Sequence, residues 1–283
     1  MKNAKLFLLS ALIFASAGMA EAKIEAVIGP VALKSNLNVA GFIPEVSDDE
    51  VIISRDQYVI SYNKTRRSPN WVEWQLEAKD IGSTPRTDIF AVDPDLQKYL
   101  VDSGSKDTPV DPSEYLDSCF DRGHQIPSKD RSSSAKNNAQ TFMMSNMLPQ
   151  TAYLNRVIWE HLEQYTRDLV QKNNKKVFVI AGPVYDEDFG FIGPHHDIPV
   201  PSKNFKIILV LDANQTAADI NPQTELIAVM MPNVFQDGSK PAAGHCLTET
   251  PARSYNTSDW EVYKTTVAEI QKVTGIKFTA SIP

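Results

Sequence analysis

The sequence predicts an α+β domain built on a mostly antiparallel sheet. Three observations carry this. Runs of β-branched and aromatic residues, notably Tyr58 to Tyr62, Val177 to Ile180 and Phe205 to Leu211, read as strands. Pro- and polar-rich stretches separate them, at Ser83 to Thr87, Ser103 to Ser113 and Gly190 to Ser202. Segments with a helical period are fewer than the strands, too few to cover both faces of a parallel sheet.

The longest helical pattern begins near Gln150 and runs to about Gln171, with Leu154, Ile158, His161, Leu162 and Tyr165 recurring near the helical period and Asn173-Asn174 marking its end. A second helix has Thr266 and Glu269 in capping-box positions, Val267, Ile270 and Val273 as its apolar stripe, and Gly275 as its stop. No internal repeat or low-complexity tract interrupts this pattern.

The chain has 283 residues, 42% hydrophobic and 22% charged. Those proportions exclude a disordered, collagen-like or multi-span membrane protein. At its amino end, Lys2 and Lys5 precede an apolar run from Leu6 to Ala17, and Ala20-Glu21-Ala22 reads as a cleavage site. Residues 1–22 are therefore expected to be a signal peptide, the run being shorter than the ~20 apolar residues a spanning helix needs. That makes the protein secreted or periplasmic, with residues 23–283 as one domain and no membrane contact after cleavage. The net charge is −7, and loss of Lys2, Lys5 and Glu21 makes it one unit more negative. No general basic surface exists to hold a polyanion, so any nucleic-acid contact has to be local. Two cysteines are too few for a disulfide-stapled miniature fold. In an oxidising compartment Cys119, expected on the strand leading into the site, can pair with Cys246, or both can be buried thiols.

The stretch that carries chemistry is Asp121-Arg122-Gly123-His124, followed by Ser145-Asn146-Met147, Pro149-Gln150 and Asn155-Arg156. A histidine can accept a proton near neutral pH, its ordinary pKa being about 6.5. Arginines offer forked donors that match phosphate oxygens. On a helix Asn155, Trp159, Leu162 and Glu163 share one face, so an amide and a carboxylate lie among apolar residues and a hard cation would satisfy both.

With Trp71-Val72, Pro85-Arg86-Thr87-Asp88, Ala181-Gly182-Pro183-Val184-Tyr185, Phe205-Lys206 and Val273-Thr274-Gly275-Ile276 in the same order, the chain resembles the DNA/RNA non-specific endonucleases of the ββα-metal (His-Me finger) type. The resemblance extends from roughly Ser54 to Phe278. The 31-residue spacing of His124 and Asn155 agrees with it. It implies an α+β fold carrying a ββα-metal motif, with His124 as general base on a hairpin packed against the helix that holds the metal ligand Asn155. Glu163 would orient metal-bound water, Asn146 would brace the site, and Arg122 and Arg86 would contact phosphate. Asp121 is expected to be structural, and Arg156 either to meet phosphate or to form an outer salt bridge. The implied activity is hydrolysis of DNA and RNA with Mg²⁺ (Mn²⁺ as a substitute), giving 5′-phosphate and 3′-hydroxyl ends with little sequence preference. A homo-oligomer is compatible with the sequence.

Other motifs read as background. His195-His196-Asp197 lies in a Gly- and Pro-bounded loop without metal-ligand spacing. His161 is expected to be structural or solvated, and His245 beside Cys246 has no further ligand nearby. No Gly-x-Ser-x-Gly elbow is present. The alternative function is a catalytically silent extracellular binding protein on the same fold. Intact His124, Asn155 and Glu163 favour the enzyme.

Overall fold

A computed structural model describes residues 26–29, 49–241, 249–252 and 254–278. The expected signal peptide, His245 and Cys246 lie outside them. Strands β1 (Val27–Gly29), β2 (Glu50–Ser54), β3 (Val59–Asn63) and β4 (Ser68–Leu76) come first. Helix α1 (Pro94–Asp102), β5 (Asp121–His124), α2 (Ala135–Gln140) and β6 (Met147–Gln150) follow, then α3 (Trp159–Gln171) and β7 (Lys175–Val184). The remaining elements are β8 (Phe191–Ile192), β9 (Ile198–Pro199), β10 (Lys203–Asp212), β11 (Glu225–Pro232) and α4 (Val267–Thr274).

Seven strands form one sheet in the order β1-β2-β3-β4-β7-β10-β11. Every strand pairing in it is antiparallel, as the sequence predicts. Both faces are covered. On one, Val177, Val179 and Ala181 of β7 pack with Trp159 and Leu162 of α3. On the other, Phe178 and Ile180 of β7 and Ile207 of β10 pack with Ile270 of α4. This explains why β7 and β10 read as unbroken apolar runs: a strand buried on both faces shows no alternation. No described helix is long and apolar enough to cross a membrane.

Local signals at α4 act as expected. The Thr266 side chain accepts from the Glu269 backbone N–H at 3.1 Å, and Gly275, at φ +72°, ends the helix in the left-handed conformation that glycine adopts without strain. The start of the long helix differs from expectation. Gln150 belongs to β6, because Pro149 and Gln150 pair with Arg122 and Asp121. Thr151 then caps the helix, its Oγ1 accepting from Leu154 N at 3.2 Å and donating to the Val234 carbonyl at 2.7 Å. Buried Asn233 fixes this junction by accepting from Thr151 N at 2.8 Å and donating to the Pro149 and Pro201 carbonyls at 2.9 Å each. Cys119 is likewise not on a strand. It lies two residues before β5 with φ +63°.

Candidate active site

The β5–β6 ribbon and the helix after it form a ββα unit on one face of the sheet. Gly123 lets the ribbon close: a Cβ there would lie 2.1 Å from Gln150 Oε1 and 2.6 Å from Gln150 Cγ, and Gln150 is fully buried. One residue on, His124 is 7% exposed and boxed by two phenyl rings, with centroids at 4.8 Å for Phe142 and 5.5 Å for Phe90. Its Nε2 is buried and has no hydrogen-bond partner. Burial first, then the Arg86 and Arg122 charges, push the imidazole down to about 3, outweighing the opposing pull of the Arg122 backbone. His124 is thus held neutral.

The two phenyl rings also seat the arginines. The Arg122 guanidinium lies 4.1 Å from the Phe90 centroid and that of Arg86 lies 4.9 Å from the Phe142 centroid. Arg86 also donates to Asp88 and, at 3.2 Å, to Ser128 Oγ. Arg122 makes no ion pair among the described residues, so its charge is available to an incoming anion.

Asn155 enters through a π turn over Leu154–Ile158, closed by the Trp159 N–H bonding the Leu154 carbonyl. This turn corrects the sequence argument that placed Asn155 and Glu163 on one face. In a regular helix eight steps leave them about 80° apart, whereas the extra residue absorbed by the turn reduces the offset to about 20°. Asn155 Nδ2 donates to Asp121 Oδ2 at 2.8 Å, which leaves its amide oxygen as the donor atom for a cation. Asp121 also holds Arg156 through both oxygens, at 2.7 and 2.5 Å. Of the two roles weighed for Arg156, the salt bridge is the one formed, and Asp121 ties the ribbon to the helix.

Glu163 lies deeper. Burial pushes its carboxyl up to about 7, against the pull of Lys206 and Arg167. Asn146 is fully buried, donating to the Ile126 and Thr141 carbonyls at 3.1 and 2.8 Å and accepting from Ile126 N at 3.1 Å. It braces the chain that follows His124 and does not line the cleft.

Arg86, Arg122, His124, Asn155 and Glu163 line one open cleft of about 490 Å³. Five of the six sequence-predicted residues therefore meet, with Asn146 behind them. The cleft adds Lys129, Glu160 and Arg167, which sequence reasoning missed. Arg167 was accessible, since it stands four residues after Glu163 on the same helix face. Five cations against three carboxylates make this a basic patch on an acidic chain. The other histidine motifs stay outside: His161 Nδ1 pairs with Asp259 at 2.9 Å and Asp197 pairs with Arg67 at 3.0 Å. Among the described residues no group of three or more His, Cys, Asp or Glu side chains is placed to hold a metal.

The chain is similar to known nucleases in sequence and fold. A nuclease from a Nostoc species is 34% identical over 249 residues, covering 87% of this chain and 79% of its own. Human mitochondrial endonuclease G is 32% identical over 200 residues, 66% of this chain and 62% of that one. A crystal structure of the EndoG/EndoGI complex has the same fold, with TM-score 0.63 at 23% identity over 85% of this chain and 89% of that one. The DNA/RNA non-specific endonuclease model matches residues 38–283. The ββα unit, the neutral histidine and the basic cleft thus belong to a nuclease, and the chain is a member of the DNA/RNA non-specific endonuclease family.

Proposed function

We propose that the protein is an exported, Mg²⁺-dependent endonuclease that hydrolyses DNA and RNA to 5′-phosphate and 3′-hydroxyl ends. The observation that carries the reading is a buried, neutral His124 in the same cleft as an Asn155 whose amide nitrogen is already committed to Asp121. Export rests on the signal-peptide pattern of residues 1–22.

The residues fit a hard divalent ion. Asn155 presents a neutral oxygen, and Glu163 adds a carboxylate in the same cleft. With one neutral amide oxygen and one carboxylate, and no group of three His, Cys, Asp or Glu side chains placed for a metal among the described residues, the site suits an ion that keeps most of its waters, as Mg²⁺ does, with Mn²⁺ as a substitute. Asn155 would hold the ion, with Glu163 hydrogen-bonding its waters. Bound there, the cation supplies positive charge where the phosphoryl and leaving oxygens become negative.

The neutral His124 imidazole accepts a proton from the attacking water. Arg122 and Arg86 hold the phosphate oxygens, and their seats on Phe90 and Phe142 place both charges before substrate arrives. Water is the nucleophile, so a ribose 2′-hydroxyl is not needed and DNA and RNA react alike. These contacts address the phosphate backbone, so base selectivity is shallow.

Nicking of supercoiled plasmid with Mg²⁺ and with EDTA tests the activity, and mass spectrometry of digested DNA and RNA tests the ends. Cyclic 2′,3′-phosphates on RNA, or intact DNA with Mg²⁺ present, would refute this assignment of the nucleophile.

A further inference from the structure

Lys206 stands in the middle of β10, cross-strand from Ala181 of β7 and Val229 of β11. It is 1% exposed. An ammonium at such a position is costly unless it is matched, and burial pushes its pKa down. The match comes from α3. Lys206 Nζ lies 3.7 Å from Glu163 Oε1 and 3.9 Å from the Trp159 ring centroid. Trp159 and Glu163 are four residues apart on one helix face, so the same turn of helix supplies both contacts.

Glu163 Oε2 faces a different cation, Arg167 NH1, at 3.8 Å. Arg167 is shared: it also reaches Asp130 Oδ1 at 3.4 Å and Glu160 Oε1 at 3.5 Å. Asp130 is itself held by Trp74 Nε1 at 3.0 Å. Lys206, among the described residues, has Glu163 as its one ion-pair partner. Glu163 borders the cleft and Lys206 does not.

From this geometry we infer that Lys206 is a positioning residue for the reaction: its buried ammonium, capped by Trp159, holds the Glu163 carboxyl group from behind, aimed at the cleft. The inference rests on the nuclease reading for its catalytic consequence. A lysine in a central strand then has a functional reason, which packing alone does not supply. Its compactness matters, since a point charge fits between Trp159 and Glu163 where a guanidinium fork needs more width.

The test is a double-mutant cycle on Lys206→Met and Glu163→Gln, read in two ways. In Mg²⁺-dependent nicking, Lys206→Met is expected to lower kcat about 10- to 100-fold, the usual loss for a residue that orients a metal-site group. In the Glu163→Gln background the same change should alter the residual rate by no more than about twofold. The second reading is the unfolding midpoint in metal-free buffer. Lys206→Met should lower it by leaving the buried Glu163 with Arg167 alone, and adding Glu163→Gln should raise it again. Lys206→Arg, which restores charge without the shape, should recover more activity than Lys206→Met.

Losses of equal size in both backgrounds, in rate and in midpoint, would overturn the inference. If Lys206→Met does not fold, the double variant decides. A folded double variant supports the coupling, and an unfolded one assigns the lysine to the core alone. A wild-type chain inert toward plasmid would reject the nuclease reading, while the metal-free midpoints would still test whether Lys206 and Glu163 are coupled.

Discussion

Replacing Asp121 by alanine separates the orientation of Asn155 from its presence. The carboxylate makes one bond to Asn155 Nδ2 at 2.8 Å and two to Arg156. Arg156 is 56% exposed, so its pair with Asp121 adds at most about 1 kcal/mol to stability. The bond to Asn155 is charge-assisted and part-buried, in a class that contributes about 1.5–3 kcal/mol. Its loss removes that bias toward the amide orientation that presents oxygen to the cleft. The apparent Mg²⁺ affinity can then fall by about 10- to 150-fold, at 1.4 kcal/mol per tenfold. Mg²⁺ titration of plasmid nicking measures the affinity, and thermal unfolding without metal measures stability. Arg156→Ala serves as the control, because it removes the other half of the contact and leaves the Asn155 bond in place. A titration for Asp121→Ala that overlays wild type, or an equal loss in Arg156→Ala, would refute this account.

Three further outcomes are expected. His124→Ala should lower turnover about 10²- to 10⁴-fold, the range for losing a general base, with metal affinity retained; equal turnover at matched circular dichroism would reject the role. Because the folded-state value of His124, about 3, lies below the ordinary ~6.5, its contribution to stability is full above pH 6.5 and is lost as pH falls toward 3. Wild type should therefore lose about 2 kcal/mol more than His124→Gln between pH 7.5 and pH 5 in metal-free denaturant melts, and parallel curves would show that the imidazole is solvated. Gly123→Ala should cost about 1–3 kcal/mol by overpacking, since the new Cβ meets the buried Gln150 side chain; an unchanged denaturation midpoint would mean that the ribbon relaxes freely.

Short-range signals in the sequence were sufficient for much of this protein. Runs of β-branched and aromatic residues marked the strands, and Thr266 and Gly275 marked both ends of α4, because composition and caps act within a few residues of chain. The resemblance at Asp121 to His124, Asn155 and Glu163 led directly to the cleft. Tertiary structure decided the rest. Gln150 became strand because it pairs with Asp121 across the ribbon. The one-residue bulge that brings Asn155 into line with Glu163 has no compositional signature. The roles of Asp121, Arg167 and Lys206 depend on partners that folding brings together, 34 positions away for Asp121 and Asn155 and 37 for Arg167 and Asp130. Composition describes an acidic chain, yet burial depresses His124, raises Glu163 and places arginines on two phenyl rings in one cleft. The exclusion of water sets those protonation states, and it exists only once the ββα unit has packed onto the sheet.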